Sequence, residues 1–191
     1  MNSYKLRALL DSFDKSELCT REITLDDISA FKQSIIYVGK GRNRRKLSHL
    51  SNTAKLSAGN LRGKIYMHYR DILDVWNSGH GIIALQICSN SEHYLSLCKE
   101  TSMIRSIGND LCNSRDGSCY GVMKSWTPEQ IFNFGEILLY FAFEQCLKER
   151  PSEYFLEDFT IKKQEKVYEP KKYNLASNFE LNGVLDLFLY L

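Results

Sequence analysis

The stretch from Ile35 to Leu50 constrains this chain more than any other. An apolar, β-branched run, Ile35-Ile36-Tyr37-Val38, breaks at Gly39 and Gly41 and then turns basic through Arg42, Arg44, Arg45 and Lys46. Such a run ended by glycines reads as a strand leaving into a turn, followed here by a helical pattern. Glycine lets a ligand approach bare backbone amides closely. Arg45 and His49 are four apart, so a helix starting near Arg42 carries both on one face. Two cations, a tyrosine and backbone N–H groups at a strand end suit a phosphate group. The segment is not a P-loop, because the Gly-Lys-Ser/Thr ending is absent. A nuclear-localisation signal or a solvated basic surface is the competing reading of Lys40 to Lys46.

Charge distribution favours the phosphate. The net charge of +2 averages two unlike halves. From Ile28 to Arg70 there is no Asp or Glu, while Lys32, Lys40, Arg42, Arg44, Arg45, Lys46, Lys55, Arg62, Lys64 and Arg70 are basic. From Glu129 to Glu169 acids outnumber bases. This asymmetry predicts a polyanion-binding face. With 191 residues, 43% apolar and 25% charged, the chain makes one globular domain, or a domain with an appendage. Its six cysteines (Cys19, Cys88, Cys98, Cys112, Cys119, Cys146) include no Cys-x-x-Cys pair, so they read as reduced thiols, mostly core filler, and zinc is not expected. No apolar run approaches the roughly 20 residues of a membrane span. The expectation is a soluble intracellular protein of the nucleus or cytoplasm, with no membrane partner.

Residues 4–10 fit a short strand or a helical turn equally well. Thr24 and Asp27 fit a capping box ahead of a short helix to about Lys32. Ser34 to Val38 then reads as a buried strand. A helix is predicted from about Ile65 to Asn77 with Ile65, Ile72, Leu73 and Trp76 on one face, and a strand over Ile82 to Cys88. Ser91 is the expected cap of a helix to about Ile107 whose apolar stripe takes Tyr94, Leu97, Cys98, Ile104 and Ile107. Glu100 falls inside that stripe, where a carboxylate is costly unless a cation meets it. Thr127-Pro128-Glu129-Gln130 is a strong helix start, and that helix runs to about Glu149. The apolar end, Leu181 to Leu191, is expected to pack back onto the body.

Tyr37-Val38-Gly39-Lys40-Gly41 resembles the second half of the GIY-YIG endonuclease motif. Arg45 and His49 are similar to the helix Arg and His of several members. Glu100 to Ile104 resembles the family's metal-binding segment, and Asn113 stands where the family has its Asn. Asp71 to Trp76, Gly79-His80-Gly81, Glu100 to Gly108 and Cys119 to Val122 resemble, in order, the nuclease module of the animal ankyrin-repeat/LEM-domain endonucleases. The first half of the motif differs. Arg7 stands at the spacing of the family's first tyrosine before Leu9-Leu10-Asp11, and Tyr4 lies three residues early. Either a bulge brings Tyr4 to the site or that tyrosine is missing.

The resemblance implies an α/β (α+β) fold: a small antiparallel sheet flanked by helices, with a helical C-terminal extension. The expected layout is a nuclease core at 1–126, a packed helix at 127–150 and an extension at 151–191. It implies a DNA endonuclease, with branched or structured DNA among its candidate substrates. Glu100 would hold Mg²⁺ or Mn²⁺, and no small-molecule cofactor is expected. Mg²⁺ keeps most of its waters, so a single protein carboxylate is a reasonable ligand. Tyr37, with Tyr4, would activate the attacking water, which requires neighbouring cations because the ordinary tyrosine pKa is about 10. Arg45 would clamp the phosphate, His49 would hold a tyrosine's proton or shuttle one, and Asn113 would brace the loop. Gly39, Lys40, Gly41, Arg42 and Arg44 would contact the substrate. The alternatives are a GIY-YIG-like nucleic-acid-binding module without catalysis, and a protein-interaction module.

Overall fold

A computed structural model of the chain describes residues 9–13, 22–41, 45–62, 64–108, 111, 113, 117–159 and 183–190; the side chains of residues 41, 45, 46, 89, 90 and 183–190 lie outside that description. After a helical segment at residues 9–12 come α1 (Leu25–Gln33), β1 (Ile35–Gly41), α2 (Arg45–Ser57), α3 (Met67–Asn77), β2 (Ile82–Ser91) and α4 (His93–Ile107). A 3-10 turn at Gly121–Ser125 leads into α5 (Pro128–Glu149), then β3 (Glu153–Tyr154), a second 3-10 turn (Leu156–Asp158) and β4 (Gly183–Tyr190).

The capping chemistry fixes two helix starts. Thr24 and Asp27 form the capping box of α1, and Thr127 and Gln130 form that of α5, with Pro128 at its first position. Ser91 does not cap α4. It closes β2, and Glu92 holds the cap position with no side-chain bond. The α3 helix starts at Met67, leaving Ile65 47% exposed outside it.

The sheet has four strands in the order β1-β4-β2-β3, antiparallel throughout. The predicted C-terminal helix forms as α5, and the extension at 151–191 adds strands to this sheet. Among its described residues, 151–159 hold a short strand and a 3-10 turn, and 183–190 form a strand. That strand lies between β1 and β2, with Leu187 opposite Val38 on one side and Leu85 on the other. An apolar run pairing on both edges removes two sets of backbone groups from water at once.

Both faces of the sheet are covered, which is why β2 reads as a continuous apolar run. Ile83, Leu85 and Ile87 face a core built with Phe31 of α1, Met103 and Ile104 of α4, and Leu139 and Phe143 of α5. Ile82 and Ala84 face the other way, toward Leu50 of α2 and Ile72 and Trp76 of α3. The stripe expected on α4 is partly wrong. Tyr94 is 66% exposed, and the buried face is largely Ser96, Cys98, Thr101, Ser102, Met103, Ile104 and Ser106. Close helix packing explains these small side chains: a Cβ on Gly135 of α5 would overlap the Ser102 backbone carbonyl. Cys98 and Cys146 are buried free thiols, and burial pushes the Cys146 pKa up to about 12, so it is inert core.

A proline at Leu187 tests the central place of β4. It removes a ladder N–H and is expected to cost about 3 kcal/mol or more, by analogy with proline inside regular structure. Denaturant unfolding of Leu187→Pro should show a large loss or no cooperative transition. A value within about 0.5 kcal/mol of wild type, as for a surface position, would contradict the sheet order.

Candidate active site

Tyr37 is aimed by a β-bulge. The β1–β4 register runs Ile35↔Leu189 and then Tyr37↔Phe188, so Ile36 is the extra residue. A bulge turns the following side chain to the other face. Ile35 and Val38 accordingly join the core under α4 and α5, while Ile36 and Tyr37 both face α2 and α3. The Tyr37 ring lies back over Gly39, where any Cβ would overlap its hydroxyl. Gly39 is thus required by the tyrosine, apart from any ligand.

On that face Tyr37 meets two histidines. Its ring centroid is 5.3 Å from His49 of α2 and 4.5 Å from His68 of α3. His68 Nε2 and His49 Nδ1 are 3.0 Å apart, hydrogen-bond distance. His68 is only 4% exposed. Burial, and secondarily the neighbouring His49, lower its pKa from 6.5 to about 4. His68 was not among the residues singled out from sequence, although its four-residue spacing to Ile72 and Trp76 puts a histidine inside the apolar stripe of α3.

Glu100 and Asn113 meet the outer edge of β1, the side away from β4. Asn113 accepts from the Val38 N–H at 3.1 Å through Oδ1 and donates to the Val38 carbonyl at 2.6 Å through Nδ2. It imitates one residue of a partner strand. Two residues on, the Lys40 N–H donates to Glu100 Oε1 at 3.1 Å. The half-buried carboxylate that looked costly on α4 is therefore partly compensated by a backbone donor. The Lys40 side chain reaches back to the His93 ring at the start of α4, 3.1 Å from Nδ1.

The structure thus brings Tyr37, Gly39, Lys40, His49, Glu100 and Asn113 around one strand. Arg45 is the first residue of α2, but its side chain, Arg42, Arg44 and Tyr4 lie outside the described residues, as does the Gly41 burial. The donor set bears on which metal would fit. Among the described residues no group of three or more His, Cys, Asp or Glu could cage an ion. One half-buried carboxylate at a strand edge suits a hard cation that keeps waters and takes substrate oxygens, as Mg²⁺ and Mn²⁺ do.

The depressed His68 pKa has a consequence for stability. Its folded value, about 4, lies below the unfolded 6.5, so protonation favours the unfolded chain. The contribution is complete above about pH 6.5 and is lost as pH falls toward 4, up to a limit on the order of 3 kcal/mol. Unfolding of wild type and His68→Phe between pH 7 and pH 4 should show a steeper acid loss for wild type. Parallel curves would mean that His68 titrates normally.

Comparison with known proteins matches this architecture to a family. The family model described as the LEM-3-like GIY-YIG domain matches residues 9–161. Human ankyrin repeat and LEM domain-containing protein 1 is 30% identical over 141 residues, 70% of this chain and 23% of the human protein. Its mouse counterpart is 31% identical over 113 residues, 59% of this chain and 21% of the mouse protein. The chain spans less than a quarter of the length of these relatives. No solved structure matches. The fold, the order of the motifs and the extent of the match agree: the chain belongs to the LEM-3-like GIY-YIG domain family, a nuclease family.

Proposed function

We propose that this domain is an endonuclease that hydrolyses phosphodiester bonds in DNA, with Mg²⁺ or Mn²⁺ held by Glu100. The observation that supports this most is the meeting of two half-sites at β1: Tyr37 against His49 on one face, Glu100 and Asn113 on the strand's outer edge. Phosphodiester hydrolysis needs an activated water and neutralised phosphate charge. Glu100 would hold the divalent cation, which would supply charge neutralisation and Lewis-acid activation of water. Tyr37 orients the attacking water and exchanges a proton with it, and His49 moves that proton onward. Arg45 clamps a phosphate oxygen pair through its planar fork. Asn113 braces the edge of β1 through Val38, and Gly39, Lys40, Gly41, Arg42 and Arg44 would bind the substrate. On this reading Tyr4 takes the role of the second tyrosine.

Charge on the two faces supports a polyanionic substrate. Lys55, Arg62, Lys64 and Arg70 outnumber Asp71 and Asp74 on the α2–α3 side, while Glu129, Glu136, Glu144 and Glu149 outnumber Lys148 on α5 on the other. Among the described residues no helix is long and apolar enough to cross a membrane. Action on DNA in the nucleus or cytoplasm is consistent with this.

A second reading, DNA binding without cleavage, draws on the sequence: Arg7 stands at the spacing of the family's first tyrosine. A nicking assay on supercoiled and branched DNA with Mg²⁺, Mn²⁺ or EDTA separates the two. The nuclease reading predicts metal-dependent nicking that EDTA abolishes. Glu100→Gln, which keeps shape but removes charge, should cleave near background and still bind. Salt-sensitive binding without nicking by wild type would favour the second reading, and no DNA binding would favour a protein-interaction module.

A further inference from the structure

We infer that His68 is a positioning residue that accepts a hydrogen bond from His49 Nδ1–H and so holds neutral His49 in the tautomer whose Nε2 carries no hydrogen. The direction of this bond rests on the nuclease reading above, which gives His49 its proton; the pairing of the two rings does not.

The geometry carries the argument. Two imidazole nitrogens at 3.0 Å bond only when one carries hydrogen and the other does not. Nδ1 of His49 and Nε2 of His68 therefore cannot both be donors, nor both acceptors. Only one direction survives a cycle of proton uptake at His49. When His49 is protonated both its nitrogens carry hydrogen, so the facing nitrogen of His68 must accept. If His68 donated instead, the bond would break each time His49 gained a proton at Nδ1, and Nε2 would already be occupied.

The surroundings of His68 fit a fixed acceptor. Tyr37 of β1 lies against its ring at 4.5 Å and 34°, and Tyr66, at the α3 cap, stacks on it at 5.6 Å and 19°. Tyr69 meets it edge-on at 4.7 Å, and Asn52 of α2 donates to the Tyr69 hydroxyl. Among the described residues, the ionisable groups facing His68 are His49, Tyr37, Tyr66 and Tyr69, with Lys64 5.1 Å from the Tyr66 ring centre. An imidazole pinned by three aromatic rings in a buried stripe has little freedom to turn. Burial and the adjacent His49 keep it neutral until about pH 4, so it does not compete for the proton that His49 handles. Outer-shell partners of this kind fix the tautomer and orientation of a working histidine.

The test uses the full chain labelled with ¹⁵N-histidine, followed by NMR across pH 3.5–8 and by cleavage kinetics. The expected wild-type spectrum shows His49 protonated at Nδ1 and not at Nε2 in its neutral form, and His68 protonated at Nδ1. In His68→Phe, which keeps a ring but removes the acceptor, His49 should average between tautomers. Its kcat should fall about 10- to 100-fold, the usual range for outer-shell partners, with KM little changed. His68→Gln, whose side-chain carbonyl can accept, should restore the His49 tautomer and part of kcat; it also carries the test if His68→Phe does not fold. A wild-type His49 protonated at Nε2, or a His49 tautomer indifferent to both substitutions, overturns the inference. So does a kcat loss that Gln does not relieve although it restores the tautomer. The expected tautomers in a wild type that cuts no DNA would uphold the pairing and overturn the nuclease reading.

Discussion

Backbone hydrogen bonding along β1 is the constraint on which the rest depends. Its inner edge is paired with β4, and its outer edge has no further strand among the described residues. Leaving buried amide groups there unpaired would cost about 1–3 kcal/mol each. Asn113 and Glu100 prevent this by bonding Val38 and Lys40. The same demand brings a carboxylate from α4 and an amide from a distant loop to one strand, beside Tyr37. Residues assigned catalytic roles therefore also have a structural one, and their removal needs a binding or folding control.

The sheet also separates chemistry by face. The bulge at Ile36 sends Tyr37 away from the main core and toward α2 and α3, which carry the exposed Lys55 and Arg70. The larger apolar cluster, with α1, α4 and α5, occupies the opposite face. Lys32 of α1 pairs with Glu136 of α5 at 2.5 Å on that side, and Glu136 also accepts from Ser106 of α4. Packing thus supports β1 on both sides, and on the second the Tyr37–His49–His68 contacts sit beside a smaller apolar cluster of Ile36, Leu50, Ile72 and Trp76.

Elements written in local sequence were legible. The β-branched run before Gly39, the capping boxes at Thr24 and Thr127, and the apolar spacing of Ile72 and Trp76 each depend on neighbours a few residues away. What escaped depends on distant partners. Nothing local to Gly183–Tyr190 says that it pairs between β1 and β2, since an apolar tail reads the same whether it packs as helix or strand. The small, polar buried face of α4 follows from the close approach of Gly135, which lies on another helix. Glu100 was legible as a conspicuous carboxylate, but its backbone donor was not. His68 was hidden because a single histidine between tyrosines carries no motif; only its place in the α3 stripe marks it.

The central claim is that β1 gathers a metal-holding carboxylate and a tyrosine–histidine pair into one site. Paramagnetic Mn²⁺ tests it most directly, because a bound ion broadens nearby amide signals. Lys40 N–H donates to Glu100, so its resonance should broaden first in a Mn²⁺ titration, with Val38 close behind. Glu100→Gln should abolish that selectivity while leaving the fold unchanged. Broadening centred elsewhere, or the same pattern in Glu100→Gln, would contradict the account.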